Sequence, residues 1–459
     1  MPSLYISAAH KSSGKTTLSI GLVRALRDRG LGIQPYKKGP DYIDPLWLSA
    51  AAGRPCYNLD FYTQSRQEID RLYTRHLQSA QLGLIEGNKG LYDGLALDGS
   101  NSNAALAAQL QVPVVLVINT KGITRGIAPL LLGYQAFDRA VHIAGVILNQ
   151  VGGARHERKL IEVVEHYTDL KILGAVPSSP AMNIDERHLG LIPSNEQNHA
   201  EAKIKSLAQM VRDQLDLDAL LEIAAEAAEP STPLTPQPAV RPYSGLRIGL
   251  PQDQAFAFYY PDDLERMQEL GAELVTFNSL SDRQLPEVDG LFLGGGFPET
   301  AMSELAANRP MLEAVAAFIE GGGPVYAECG GLIYLTRSLA WGEKKCKMAG
   351  IIAADAVMHA KPQGRGYVQL QVTDQAPWEM APGQSICAHE FHYSALRGLD
   401  PQAARFAYRV VRGTGIDGEH DGLTYKNLLA SYSHRRNVDA SPWVEKFLAK
   451  VAGCRRNRE

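Results

Sequence analysis

The 459-residue chain is 45% hydrophobic and 21% charged, a balance that suits two or three globular domains and excludes an intrinsically disordered polymer. Its 46 basic and 50 acidic side chains give a formal charge of -4, which offers no electrostatic drive toward nucleic acid or an anionic membrane. The longest apolar run, residues 112–118, is far short of the roughly 18 residues a membrane span needs. Residues 1–6 lack the basic region and apolar core of a signal peptide, and five scattered cysteines fit no disulfide framework. A reduced, cytoplasmic protein is expected.

In chain order, a short apolar strand is predicted at 4–8 and a helix from Lys15. Between them runs Ser7-Ala8-Ala9-His10-Lys11-Ser12-Ser13-Gly14-Lys15-Thr16-Thr17, where a phosphate-binding loop belongs. There, backbone N–H groups and a helix N-terminus face the anion, Lys15 adds a point charge, and Thr16 can ligate Mg²⁺. The full pattern puts glycine six residues before Lys15, where this chain has Ala9. A ligand-free Ser/Gly turn is the competing reading.

Buried-strand runs follow at 82–85, 114–118, 143–148 and 172–176, spaced by helical-length segments, as in a mostly parallel sheet covered on both faces. Carboxylates gather near strand ends. Asp41 and Asp44 lie in Lys37-Lys38-Gly39-Pro40-Asp41-Tyr42-Ile43-Asp44-Pro45, Glu86 follows 82–85, and Asp93 lies in Gly90-Leu91-Tyr92-Asp93-Gly94. Ligands of open parallel sheets bind at the carboxyl ends of strands. Carboxylates there can hold Mg²⁺ against a triphosphate. Turn capping is the alternative for Asp41 and Asp44.

Five prolines between 230 and 242 mark a stiff linker. It divides the chain into domains 1–229 and 244–459, joined by residues 230–243. Beyond it, strands are predicted at 246–250, 290–293 and 324–327, with more between 367 and 411.

Pro324-Val325-Tyr326-Ala327-Glu328-Cys329-Gly330-Gly331-Leu332-Ile333-Tyr334 resembles a nucleophile elbow with Cys329 as nucleophile. The helix N-terminus beneath is expected to favour thiolate. The run Gly294-Gly295-Gly296-Phe297-Pro298-Glu299 is expected to aim the backbone N–H groups of Gly295 and Gly296 at an oxyanion. His389, His392 and His434 are candidate bases, and His434 is preferred for its place at the end of a plausible last strand. A buried core cysteine is the competing reading of Cys329.

Several segments together resemble the cobyrinic acid a,c-diamide synthase family over nearly the whole chain. They are Gly39-Pro40-Asp41-Tyr42-Ile43-Asp44-Pro45, Glu186-Arg187-His188-Leu189-Gly190-Leu191, Ala255-Phe256 with Phe258-Tyr259-Tyr260-Pro261, Gly294-Gly295-Gly296-Phe297-Pro298-Glu299, and His389-Glu390-Phe391-His392-Tyr393-Ser394. The resemblance implies an α/β fold with two parts. One is an N-terminal P-loop NTPase domain like dethiobiotin synthetase, acting as an amidoligase. The other is a C-terminal class I-type glutamine amidotransferase domain.

It further implies ATP phosphates at Gly14, Lys15, Thr16 and Thr17, with Lys37 near the transferred phosphoryl group. Mg²⁺ is implied at Thr16, Asp44 and Glu86, with Asp41 and Asp93 among the substrate-activating groups. Cys329 is the implied glutaminase nucleophile and His434 its partner. The acid expected two residues after that histidine is absent, because the position is Arg436. The implied partners are L-glutamine and a polycarboxylated tetrapyrrole, with a homodimer expected by fold analogy alone.

Departures from the family pattern bear on substrate. Ala8-Ala9 and Ser12 alter the loop, Leu48 stands where histidine is frequent, and Lys38, Asn88 and Lys89 replace apolar residues. The added positive charge keeps sirohaem and nickel sirohydrochlorin open as alternative substrates. A partitioning-type ATPase, which needs lysine where this chain has His10, and a non-catalytic tetrapyrrole carrier are the readings from other classes.

Overall fold

Strand β1 (Ser3–Ala8) sends Leu4, Ile6 and Ala8 into one apolar cluster and Tyr5 into another. This is the period-2 pleat of a strand buried on both faces, which is why apolar residues of its sequence fall on both. β5 (Val114–Asn119) divides the same way, with Val115 and Val117 on one side and Val114, Leu116 and Ile118 on the other. Each fully buried Val, Leu or Ile contributes about 1.5–3 kcal/mol.

The computed structural model describes residues 1–179, 184, 186–187, 190–194, 200–230, 240–378, 380–400 and 402–456. His188 and Leu189 of the family-like segment 186–191, and residues 231–239 of the predicted linker, lie outside the described residues. The chain divides into two compact units, Met1–Pro236 and Gln237–Glu459.

The first unit holds a seven-stranded sheet. β2 is Ile33–Lys38, β3 Tyr57–Leu59, β4 Leu82–Glu86, β6 Ile143–Val151 and β7 Lys171–Pro177. The order is β3-β2-β4-β1-β5-β6-β7, and every pairing is parallel. β2 and β3 are not predicted from the sequence. β2 reads Ile-Gln-Pro-Tyr-Lys-Lys, yet all six residues are buried. Burying two lysines is costly unless they find partners, and those partners belong to the site described below. Helix α1 (Lys15–Asp28) follows β1, and α2 (Ile43–Ala52) follows β2.

The second unit holds a nine-stranded mixed sheet. Five strands run parallel, in the order Glu273–Phe277, Arg247–Pro251, Gly290–Leu293, Val325–Glu328 and Leu428–Ser431. Antiparallel strands His420–Tyr425, Phe406–Arg412, Gly364–Val372 and Ser385–His392 extend it. The unit carries two apolar clusters of its own. Among the described residues, no helix is long and apolar enough to cross a membrane.

Candidate functional site

In the first unit, strand register assembles a charged cluster. β2 pairs with β4 so that Lys37 lies beside Glu86, and Glu86 in turn pairs with Ile6 of β1. Lys37 Nζ stands 2.6 Å from Asp44 Oδ2 and 2.9 Å from Glu86 Oε1. Thr16 Oγ1, in the first turn of α1, donates to Glu86 Oε1 at 2.6 Å and lies 3.3 Å from Asp44 Oδ2. Thr17 follows it in the same turn. Asp44 occupies the first turn of α2, where an acid is favoured by the helix dipole. Burial opposes the charge on Lys37, but Asp44, Glu86 and Asp41 outweigh it and hold the ammonium well above its ordinary pKa. Burial lifts Glu86 above the usual carboxylate range, with Lys37 opposing.

The donor set suits a hard cation. Glu86 Oε2 is buried with no hydrogen-bond partner, an arrangement that calls for an explanation. Among the described residues, no three His, Cys, Asp or Glu side chains form a metal cage. Thr16 Oγ1, Asp44 and Glu86 nonetheless bring oxygen donors together, the ligand type that Mg²⁺ takes alongside phosphate and water.

The loop geometry depends on Gly14. Its φ is +90°, and a Cβ there would lie 2.2 Å from Asn149 Nδ2, which itself donates to Ser13 O. Lys15 Nζ donates to Lys89 O at 2.6 Å, and burial, aided by Lys37, pushes its pKa down to about 8. Lys38 is buried, donates to Asn101 O at 2.7 Å, and is likewise pushed down to about 8 by burial, with Lys89 and Lys37 adding.

Two predicted residues stand differently. Asp41 takes the turn-capping role: Oδ1 accepts from Ile43 N at 2.8 Å, and burial followed by Asp44 pushes its carboxyl up to about 7. Asp93 lies outside the cluster on an exposed turn, accepting from Gly90 N at 2.9 Å. Its link to the loop is electrostatic, through Lys15.

In the second unit, strand Val325–Glu328 leads into Cys329, whose φ of 45° and ψ of -93° are strained for a non-glycine residue. Cys329 N donates to Ser431 O at 2.7 Å. A Cβ on Gly331 would lie 2.2 Å from Leu293 O, so the turn needs glycine there.

Two expectations are corrected. Gly295 is not an oxyanion donor, because its N–H is spent on Phe258 O at 3.2 Å. Gly296 N lies 3.0 Å from where a Gly330 Cβ would stand, and Gly330 N–H bonds to the Cys329 sulfur. These two groups, not Gly295 and Gly296, meet at the elbow. Nor is Cys329 a ready thiolate. Burial raises its pKa well above the usual thiol value, and Glu299 and Glu328 add to the rise. The helix below, Gly330–Tyr334, has only five residues and does not offset them.

His434 lies three residues past strand Leu428–Ser431 and exchanges backbone hydrogen bonds with His389 at 2.8 and 3.2 Å. Its Cε1 would sit 2.6 Å from a Cβ on Gly295, which brings the ring to the glycine run. His389 stacks on it with centroids 5.0 Å apart. His392 instead stacks on Tyr432, with Nδ1 2.8 Å from Ser394 O. Sequence reasoning misses Glu328: its Oε2 lies 3.2 Å from His434 Nδ1. The available signal is the one that singles out Glu86, a carboxylate at the carboxyl end of a parallel strand.

Comparison with known proteins gives two family matches. Residues 247–438 match the CobB/CobQ-like glutamine amidotransferase domain, and residues 60–185 match an AAA domain. The chain is 46% identical over 456 residues to cobyrinate a,c-diamide synthase of Magnetococcus marinus, covering 98% of this chain and 97% of that protein. It is 39% identical to the synthase so named from Methanosarcina acetivorans, over 95% of this chain and 93% of that one. It is 38% identical to that of Archaeoglobus fulgidus, over 98% of each chain.

Proposed function

We infer the chemistry from one premise: the chain belongs to the cobyrinate a,c-diamide synthase family and is a glutamine-dependent amide-forming ligase. The reading is an ATP- and glutamine-dependent amidation of tetrapyrrole carboxylates, with the a and c acetate side chains of cobyrinic acid as targets. The observation that carries it is the strained Cys329 elbow, with His434 held by the adjacent Glu328, in a chain that also holds the Gly14–Lys15 loop.

In the glutaminase half, Cys329 Sγ attacks the side-chain amide carbon of glutamine while His434 takes the thiol proton. The N–H of Gly296 receives the oxyanion, joined by that of Gly330 once the sulfur leaves it to bond to the amide carbon. The amide C–N bond breaks, the proton passes from His434 to the departing ammonia, and water hydrolyses the thioester to glutamate.

In the synthetase half, a substrate carboxylate attacks the γ-phosphorus of ATP, giving an acyl phosphate and ADP. Ammonia then displaces phosphate to form the amide. Gly14, Lys15, Thr16 and Thr17 bind the phosphates, and Lys37 neutralises charge on the transferring group. Mg²⁺ held by Thr16, Asp44 and Glu86 would offset the remaining phosphate charge. Asp41 and Asp93 shape the surrounding loops. Two cycles yield the diamide.

A second reading takes sirohaem or nickel sirohydrochlorin as the tetrapyrrole. It is favoured by Lys38 and Lys89, two basic residues at positions where the family pattern is apolar. Product mass decides between them. Each amidation replaces OH by NH₂ and lowers the mass by about 1 Da. Cobyrinic acid is expected to lose this twice, and sirohaem offered separately to stay unchanged. Cys329→Ser is expected to abolish glutamine use yet keep ammonia-driven amidation. Glutamine-driven product from that variant would refute the assignment of Cys329.

A further inference from the structure

We propose that Glu328 is a positioning residue that completes the Cys329–His434 pair, filling the role of the acid absent at Arg436. The inference rests on the glutaminase reading above.

The carboxyl is fixed from two sides. Oε2 lies 3.2 Å from His434 Nδ1, while Oε1 accepts from Tyr326 OH at 2.6 Å and from Arg435 N at 2.9 Å. All of these side chains are buried. Glu328 therefore grips the histidine turn through both the ring and the next peptide. Strand register explains why. Val325–Glu328 runs parallel to Leu428–Ser431 with Glu328 opposite Ser431, so residues 433–435 pass directly over the end of the nucleophile's strand. Tyr326, two residues earlier, shares the pleat face of Glu328.

Arg436 cannot substitute. It is a cation, bound through Nη2 and Nε to Asp262 Oδ2 at 2.9 and 3.0 Å and lying over the Tyr260 ring. The other titratable or charged groups around the pair include Glu299, Asp421 and Tyr432 near the sulfur, and His389 and Arg435 near the histidine. His389 is held well below its ordinary pKa by burial, then by His434 and Arg436, and so brings no compensating charge.

A carboxylate that accepts from Nδ1–H leaves the lone pair on Nε2, the tautomer able to take a thiol proton. As the S–C bond forms, the S–H bond breaks and the proton moves to Nε2, then to the departing ammonia. Glu328 neither gains nor loses a proton. It orients the ring and stabilises the transient imidazolium.

Glu328→Gln is the test. Glutamine keeps the size and leaves an oxygen for Tyr326 and Arg435, but it turns an NH₂ group toward Nδ1 and forces the opposite tautomer. By the precedent of the Asp→Asn change in serine protease triads, glutamine-driven kcat is expected to fall about a hundredfold or more with KM little changed. Ammonia-driven amidation, which bypasses the elbow, should hold. The rate of Cys329 alkylation by iodoacetamide should need a higher pH, and Glu328→Asp should recover part of the loss. A glutamine-driven kcat within about threefold of wild type overturns the proposal. So does an unmoved alkylation profile, or a matching loss of thermal stability that accounts for the defect. Cys329→Ser run alongside keeps the premises apart: if it still uses glutamine, the glutaminase reading itself has failed.

Discussion

His76 packs its ring on Tyr57, with centroids 3.6 Å apart, and burial, with Arg75 and Arg54 adding, pushes its pKa down to about 3. An unfolded chain would protonate this histidine near pH 6.5. Between those values the unfolded state binds more protons than the folded one, so stability rises with pH and falls on acidification. The slope is at most about 1.4 kcal/mol per pH unit. Partial exposure of the side chain reduces it. His76→Phe keeps the aromatic stack without the titration. The drop in melting temperature from pH 7 to pH 5 should be smaller in the variant, and equal drops would refute the assignment. The same desolvation depresses Lys15 and Lys38 and lifts Cys329, whereas Asp44 and Glu86 overcome it at Lys37 and hold that ammonium charged.

Elements differ in how openly the sequence declares them. Helix Arg66–Leu77 starts with a capping box: Ser65 Oγ accepts from Glu68 N at 3.2 Å, and Glu68 Oε2 accepts from Ser65 N at 2.7 Å. Ser65→Ala should cost about 1 kcal/mol in denaturant unfolding. Both activities should stay intact at ordinary temperature. An unchanged unfolding midpoint would show the box to be idle. β1, β4, β5 and the strand before Cys329 were legible because short, mostly apolar runs bounded by glycine or polar residues fit strands buried on both faces. β2 was not, because its Gln-Pro-Tyr-Lys-Lys sequence contradicts that pattern for the sake of the site it feeds. The clustering of Thr16, Lys37, Asp44 and Glu86 was foreshadowed by their strand-end and helix-start positions, but Lys37 as the bridge between the carboxylates was not. Glu328 and the spent N–H of Gly295 were hidden for a different reason. Each depends on a partner far along the chain, or on the path of a single loop, that local spacing does not encode.

At the scale of the whole molecule, the two units each have their own pair of apolar clusters, one pair drawn from residues up to 224 and the other from residue 246 onward. Each unit is large enough to bury a core of its own. Chains built this way commonly depart from two-state unfolding, so the calorimetric enthalpy should exceed the van't Hoff enthalpy. Ligands supply a sharper test, because a ligand stabilises only the folded unit that binds it. ATP with Mg²⁺ at a hundredfold excess over Kd should add about 2.7 kcal/mol to one transition. Lys15→Ala should remove that gain while leaving the other transition in place. A covalent glutamine analogue captured by Cys329 should raise the complementary transition, and Cys329→Ser should cancel that rise alone. A single transition with equal enthalpies, moved alike by either ligand, would mean that the two chemistries share one cooperative unit, and the assignment of phosphoryl transfer and glutamine hydrolysis to separate cores would have to be abandoned.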